Sequence, residues 1–148
     1  MLRRFADADL VAKIKNEMAN NIQNERAGGD PANIALAACD FDSTLAGKNL
    51  SEVLKAQGKP VTVPAAADLV VDLVTKGNCW GIFHAIDEGD LVRILKHPVT
   101  MVASDAAPGE PIFGRDVPHP RAYGTFARVL AFMCESSRCS HSKTPSGR

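Results

Sequence analysis

Apolar side chains recur along the chain with two different periods, and the switches between them mark its elements. Leu10, Val11, Ile14, Met18 and Ile22 fall at helical spacing among Lys, Asn and Glu. This predicts an amphipathic helix starting at Asp7 and stopped by Gly28-Gly29. The unbroken run Ile34 to Cys39 predicts a buried strand. A short helical pattern follows from Lys48 to Lys55, ended near Gly58 and Pro60. Pro64 then suits the first turn of a longer helix whose Leu69, Val70, Leu73 and Val74 face inward and whose end is Gly77. Cys79 to His84 predicts a second strand. Asp87 can cap a helix carrying Leu91, Val92, Ile94 and Leu95, with His97-Pro98 as its stop. Val99 to Ser104 predicts a third strand ending at Asp105, Ala106 to Ala122 a long loop rich in Pro and Gly, and Tyr123, Phe126, Val129 and Leu130 a last helix.

Strands spaced by helices argue for the α/β class, a parallel sheet with right-handed crossovers. Three strands make a narrow sheet with open edges, whereas parallel sheets are normally covered on both faces. The pattern therefore predicts part of something larger.

Length and composition narrow this further. A chain of 148 residues with 45% apolar content can build one domain with a core, but a complete eight-fold α/β barrel needs roughly 250 residues. Seventeen basic and seventeen acidic residues cancel, so no net field favours nucleic acid or an anionic membrane, and function must reside in a site. No apolar run approaches the roughly 18 residues of a membrane span, and Met1-Leu2-Arg3-Arg4 leads into a polar helical pattern, which makes a cytoplasmic location the expectation. Cys39 and Cys79 sit in apolar runs and are expected to be free buried thiols. Cys134, Cys139 and His141 offer too few ligands for a metal clip. The chain divides into a folded part, 1–131, and a Ser-rich tail, 132–148, expected to be disordered.

Chemistry enters at two places. The first strand runs into Asp40-Phe41-Asp42-Ser43-Thr44-Leu45, which resembles the first motif of the haloacid dehalogenase-type phosphotransferases. That resemblance implies Asp40 as nucleophile and Asp42 as acid/base. The scheme also needs a phosphate-holding Lys and a later acidic pair for Mg²⁺. Lys76 or Lys96 could supply the first and Asp87-Glu88 the second, but neither lysine follows a strand end and the acidic pair also makes an ordinary helix start. A phosphatase using Asp40 and Asp42 stands as the alternative reading.

The second place is more specific because several separated motifs occur in order. HPVTMVASDAAP, PHPRAYGTFARVL, FHAIDEGDLVRILKHP and DSTLAGKNLSEVL together resemble the C-terminal barrel segment of the N-acyl-D-amino-acid deacylases, or D-aminoacylases, of the amidohydrolase superfamily. The resemblance implies the last three strands of a (β/α)₈ barrel and hydrolysis of the amide bond of a small-molecule N-acyl-D-amino acid. It also implies Zn²⁺ as cofactor and Asp105 as the catalytic carboxylate that manages the proton. A carboxylate at the carboxyl end of a barrel strand would face the reaction; an Asp that only shapes the turn after Ser104 is the structural alternative. In PHPRAYGTF, Arg121 has the bidentate fork suited to a substrate carboxylate, and can equally tie down the loop or start the helix. His119, between two prolines, is expected to pack the loop, and His84 to be structural or to lie behind the site.

The family's metal ligands would lie upstream of Met1, so no residue of this chain is assigned as a ligand. From Phe132 the family pattern is lost, and a truncated or frameshifted reading frame is the expectation for both ends. The chain alone is expected to be inactive and marginally stable, and able to self-associate through uncovered barrel edges.

Overall fold

A computed structural model of the chain describes Phe5 and residues 7–106 and 117–140, without the side chains of residues 133–140. The chain forms two compact units, 1–88 with 111–118 and 89–110 with 119–148.

Unit 1 opens with α1 (Ala8–Asn20). Asp7 starts it, its Oδ1 accepting from the backbone N–H groups of Asp9 and Leu10 at 3.0 and 3.2 Å, which satisfies two donors that a helix leaves open. A π-helical turn, Asn21–Arg26, extends α1 and turns Ile22 into the core. Gly28 and Gly29 end it with φ of 58° and 81°, the left-handed region that glycine enters without penalty.

The next element is β1 (Ile34–Cys39), which pairs with β2 (Cys79–Phe83). Ile34, Leu36 and Cys39 are buried, a pattern that breaks strict alternation. A bulge between Leu36 and Ala38 accounts for it, because one extra residue shifts the phase and brings Cys39 back to the core face. The bulged Ala37 turns its carbonyl outward, where it accepts from the N–H of Val117 at 2.8 Å.

Between the strands lie α2 (Leu50–Ala56) and α3 (Val63–Lys76). A reciprocal capping box starts α2: Glu52 N–H donates to Asn49 Oδ1 and Asn49 N–H donates to Glu52 Oε2, both at 2.9 Å. Thr62 caps α3, with Pro64 in its first turn as the sequence predicts. Lys15 of α1 meets Asp68 of α3 at 2.8 Å. Leu50 and Leu54 from α2, Ala66, Leu69 and Leu73 from α3, and Ile22, Ile34 and Leu36 form one buried cluster.

Three expectations fail here. The strands are antiparallel, with Ile34 opposite Phe83 and Cys39 opposite Cys79. Two helices separate them, so the chain reverses direction once more than in a single-helix crossover, and β2 returns antiparallel. Cys39 and Cys79 are also not free thiols: facing each other across the ladder with Cα atoms 4.2 Å apart, they form a disulfide. Disulfides are rare in cytosolic proteins, so the cysteines lend the cytoplasmic expectation no support.

The third failure is the strand predicted at Val99–Ser104, where the described residues hold no regular element. Helix α4 (Glu88–Leu95) ends in a turn instead: Thr100 N–H donates to the His97 carbonyl at 3.0 Å and its hydroxyl to that of Ile94 at 2.7 Å. Val99 and Met101 are then exposed, 78% and 92%, since an apolar run becomes a strand only where a ladder partner lies beside it.

Helix α5 (Arg121–Ser140) completes unit 2. Its backbone stays helical to Ser140, across the first half of the stretch that composition assigns to a disordered tail. The rest of that tail lies outside the described residues, as do His141 and the side chains of Cys134 and Cys139, so the Cys134, Cys139 and His141 grouping falls outside what the structure describes. Within unit 2, Ile94, Tyr123, Phe126 and Leu130 are more than half exposed, so these helices do not build a buried core of their own among the described residues. No helix among the described residues is long and apolar enough to cross a membrane.

Candidate functional site

Asp105 and Arg121 come together in unit 2. Arg121 Nη1 lies 3.2 Å from Asp105 Oδ2, with the arginine side chain 47% and the aspartate 87% exposed. Because the third strand does not form, Asp105 reaches this position from a loop and not from a strand end. Its φ is 51°, and it is the one non-glycine residue with positive φ among the described residues. Asp tolerates this left-handed conformation better than most residues, yet it still costs of order 1 kcal/mol.

Arg121 is the first residue of α5. A cation there opposes the helix dipole, so its position is not explained by helix stability. His119 starts the helix: its Nδ1 accepts from the Arg121 N–H at 3.1 Å, while its carbonyl accepts from Ala122 N–H at 2.9 Å. An accepting Nδ1 places the imidazole proton on Nε2. The expectation that His119 packs the loop thus becomes a definite capping role, which the missing Ser, Thr, Asp or Asn before Arg121 could have suggested. Aspartate, arginine and a capped helix start can offer a proton-accepting carboxylate beside a guanidinium that binds a carboxylate through paired N–H donors.

The Asp-rich loop of unit 1 serves local structure. Asp42 Oδ1 accepts from the Thr44 backbone N–H at 2.9 Å and its hydroxyl at 2.7 Å, capping the turn Ser43–Leu45. These two bonds hold its carboxyl below the ordinary aspartate range, with Lys48 and Lys76 adding to the effect. Asp40 Oδ2 accepts from Asn78 Nδ2 at 3.2 Å, and Asp40 N–H donates to the Asn78 carbonyl. A carboxylate with a depressed pKa is a poor general acid near neutrality, so the phosphatase alternative is not favoured.

Since the Asp42 pKa is lower folded than unfolded, the turn gains stability above the unfolded value and loses it as pH falls through the folded one. Carboxyl NMR of the chain should show the Asp42 midpoint below that of an unstructured aspartate, and Thr44→Val should move it back up. A midpoint at or above the unstructured value would contradict the cap.

His84 is exposed just beyond β2, and its N–H donates to the Asn33 carbonyl at 2.9 Å. Lys96 lies in the turn after α4 and Asp87-Glu88 at its start. Among the described residues no group of three or more His, Cys, Asp or Glu side chains could hold a metal ion. These residues therefore do not fit a zinc centre.

Parts of the chain match curated proteins of Alcaligenes xylosoxydans xylosoxydans. A D-aminoacylase is 38% identical over 86 residues, 58% of this chain and 15% of the relative. An N-acyl-D-aspartate deacylase is 42% identical over 57 residues, 38% of this chain and 10% of the relative. An N-acyl-D-glutamate deacylase is 43% identical over 49 residues, 33% of this chain and 9% of the relative. No family model and no solved structure matches. The homologues are thus hydrolases of the D-aminoacylase kind, and the matched stretches span 15% or less of their length.

Proposed function

We propose that the chain is a segment of an N-acyl-D-amino-acid deacylase, with Asp105 as the proton-transferring carboxylate and Arg121 as the group that holds the substrate carboxylate. The observation that carries this reading is the similarity to an aminoacylase and two deacylases of D-amino acids. The Asp105–Arg121 approach supports it, since the two residues that the resemblance singles out meet at 3.2 Å. In this scheme Asp105 accepts a proton from the attacking water and passes it to the leaving amine. Arg121, with only one edge of its fork engaged by Asp105, keeps further N–H donors for the substrate. Zinc, which the resemblance implies, would polarise the scissile carbonyl when bound. Its ligands are not among the described residues.

The proposal includes a barrel ancestry for Ile34–Cys39, Cys79–His84 and Val99–Ser104. Barrel strands are parallel, so in the parent barrel β1 and β2 would pair in the opposite sense from the one they adopt in this chain. Cys39 ends β1 and Cys79 begins β2. Parallel pairing would put these residues at opposite ends of strands of five and six residues, about 15 Å apart at roughly 3.3 Å per residue. Disulfide and barrel pairing are mutually exclusive.

The chain alone, lacking a ligand set among its described residues, is expected to be inactive. Purified chain incubated with zinc and N-acetyl-D-leucine, N-acetyl-D-aspartate or N-acetyl-D-glutamate should release no free amino acid. Turnover abolished by Asp105→Ala would contradict the inactivity and leave the deacylase assignment standing, whereas turnover unaffected by it would count against the site.

A further inference from the structure

Unit 1 contains a cavity of about 390 Å³ between the end of α1, α3 and the two strands. Neither Asp105 nor Arg121 lines it. Its volume is within the usual range for small-molecule sites. Leu36, Val70 and Leu73 form aliphatic walls, and Trp80 and Phe83 stand at the mouth, 66% and 45% exposed. Large aromatic rings left half in water beside an apolar hollow lose that exposed area when an apolar group enters.

The charged group at the cavity is Arg26, in the last turn of the π-helical segment. Its guanidinium lies over the Phe83 ring, 5.9 Å from the centroid, a cation–π contact that holds the fork at the mouth. Among the described residues no carboxylate lies within ion-pair distance of it. Apolar walls and one oriented guanidinium at the entrance define a ligand with an apolar body and a single anionic end. A guanidinium binds a carboxylate through paired hydrogen bonds, a stronger interaction than any neutral group could make there.

We propose that unit 1 binds a medium-chain alkyl carboxylate, its chain in this cavity and its carboxylate on Arg26. The proposal goes beyond the deacylase reading and does not rest on it. No bond is made or broken.

Trp80 is the single tryptophan of the chain, so its emission reports the cavity directly. Decanoate titrated into the full chain below its micellar concentration should shift the emission to the blue and quench it saturably. Decanol should bind at least tenfold more weakly, and decyltrimethylammonium should not bind. Arg26→Gln, at an exposed position, should weaken decanoate about tenfold and leave decanol unchanged. Val74→Phe, which extends a lining side chain into the hollow, should remove binding of both, with circular dichroism confirming that it folds. Equal affinities for decanoate and decanol, or no effect of Arg26→Gln, would overturn the proposal. So would a Trp80 shift that tracks protein concentration together with a dimer in sedimentation, since a second copy would then be the occupant.

Discussion

Reducing the Cys39–Cys79 disulfide, or replacing both cysteines with serine, is expected to remove about 4 kcal/mol of stability from the chain. The bridge spans 40 residues, and a crosslink closing a loop of that size removes this much conformational entropy from the unfolded state on a loop-closure estimate. Urea unfolding with and without reductant measures the difference directly. The loss should appear in the midpoint and, because the crosslinked unfolded state is more compact, as a steeper denaturant dependence after reduction. The outcome matters beyond stability. A non-reducing peptide map that joins the Cys39 and Cys79 peptides establishes antiparallel pairing in this chain, because parallel strands would hold the two sulfurs at opposite ends. Two alkylatable thiols at these positions, with no stability change on reduction, would contradict the fold described for unit 1.

If the chain is a segment of a deacylase as proposed, the second large effect is expected at Asp105 in the assembled enzyme. When residues 34–131 of this chain replace the corresponding segment of the Alcaligenes D-aminoacylase, Asp105→Ala should lower kcat/KM by roughly 10² to 10⁴, the usual contribution of a positioned acid–base group. Most of that loss should fall on kcat. Arg121→Gln should act differently, raising KM with a smaller change in kcat, because it removes a grip on the substrate that both ground and transition states use. Asp105→Asn keeps the size and much of the hydrogen bonding while removing the proton acceptor. It should be as inactive as the alanine variant, which separates a chemical role from a loop-shaping one.

Helices were the most legible elements. The spacing of Leu10, Val11, Ile14 and Met18, the short pattern from Lys48 to Lys55 and Pro64 are local features, and the structure forms a helix at each; the Asn49 to Glu52 capping box that starts α2 was equally local but went unread. Strand positions were also legible at Ile34–Cys39 and Cys79–Phe83. Pairing was not, since direction depends on how the intervening helices reverse the chain. Val99–Ser104 shows the same limit more sharply: its composition is that of a strand, but the Thr100 hydroxyl bonds back to Ile94 and no strand pairs with it among the described residues. The disulfide follows from register, which sequence periodicity does not carry. At the site, Asp105 and Arg121 could be singled out only by resemblance, and their contact depends on a left-handed φ at Asp105 and on His119 starting α5. Pro118 and Pro120 bracket His119, and that punctuation, with the absence of an ordinary cap residue before Arg121, was the local clue to the helix start.

The chimera tests most directly the proposal that this chain is a segment of an N-acyl-D-amino-acid deacylase. With residues 34–131 in place of the relative's own segment and zinc bound, the account predicts release of free D-amino acid from an N-acyl-D-amino acid, with Cys39 and Cys79 both alkylatable. A chimera that folds, retains its zinc and gives no turnover, or equal turnover with Asp105→Ala, would contradict it.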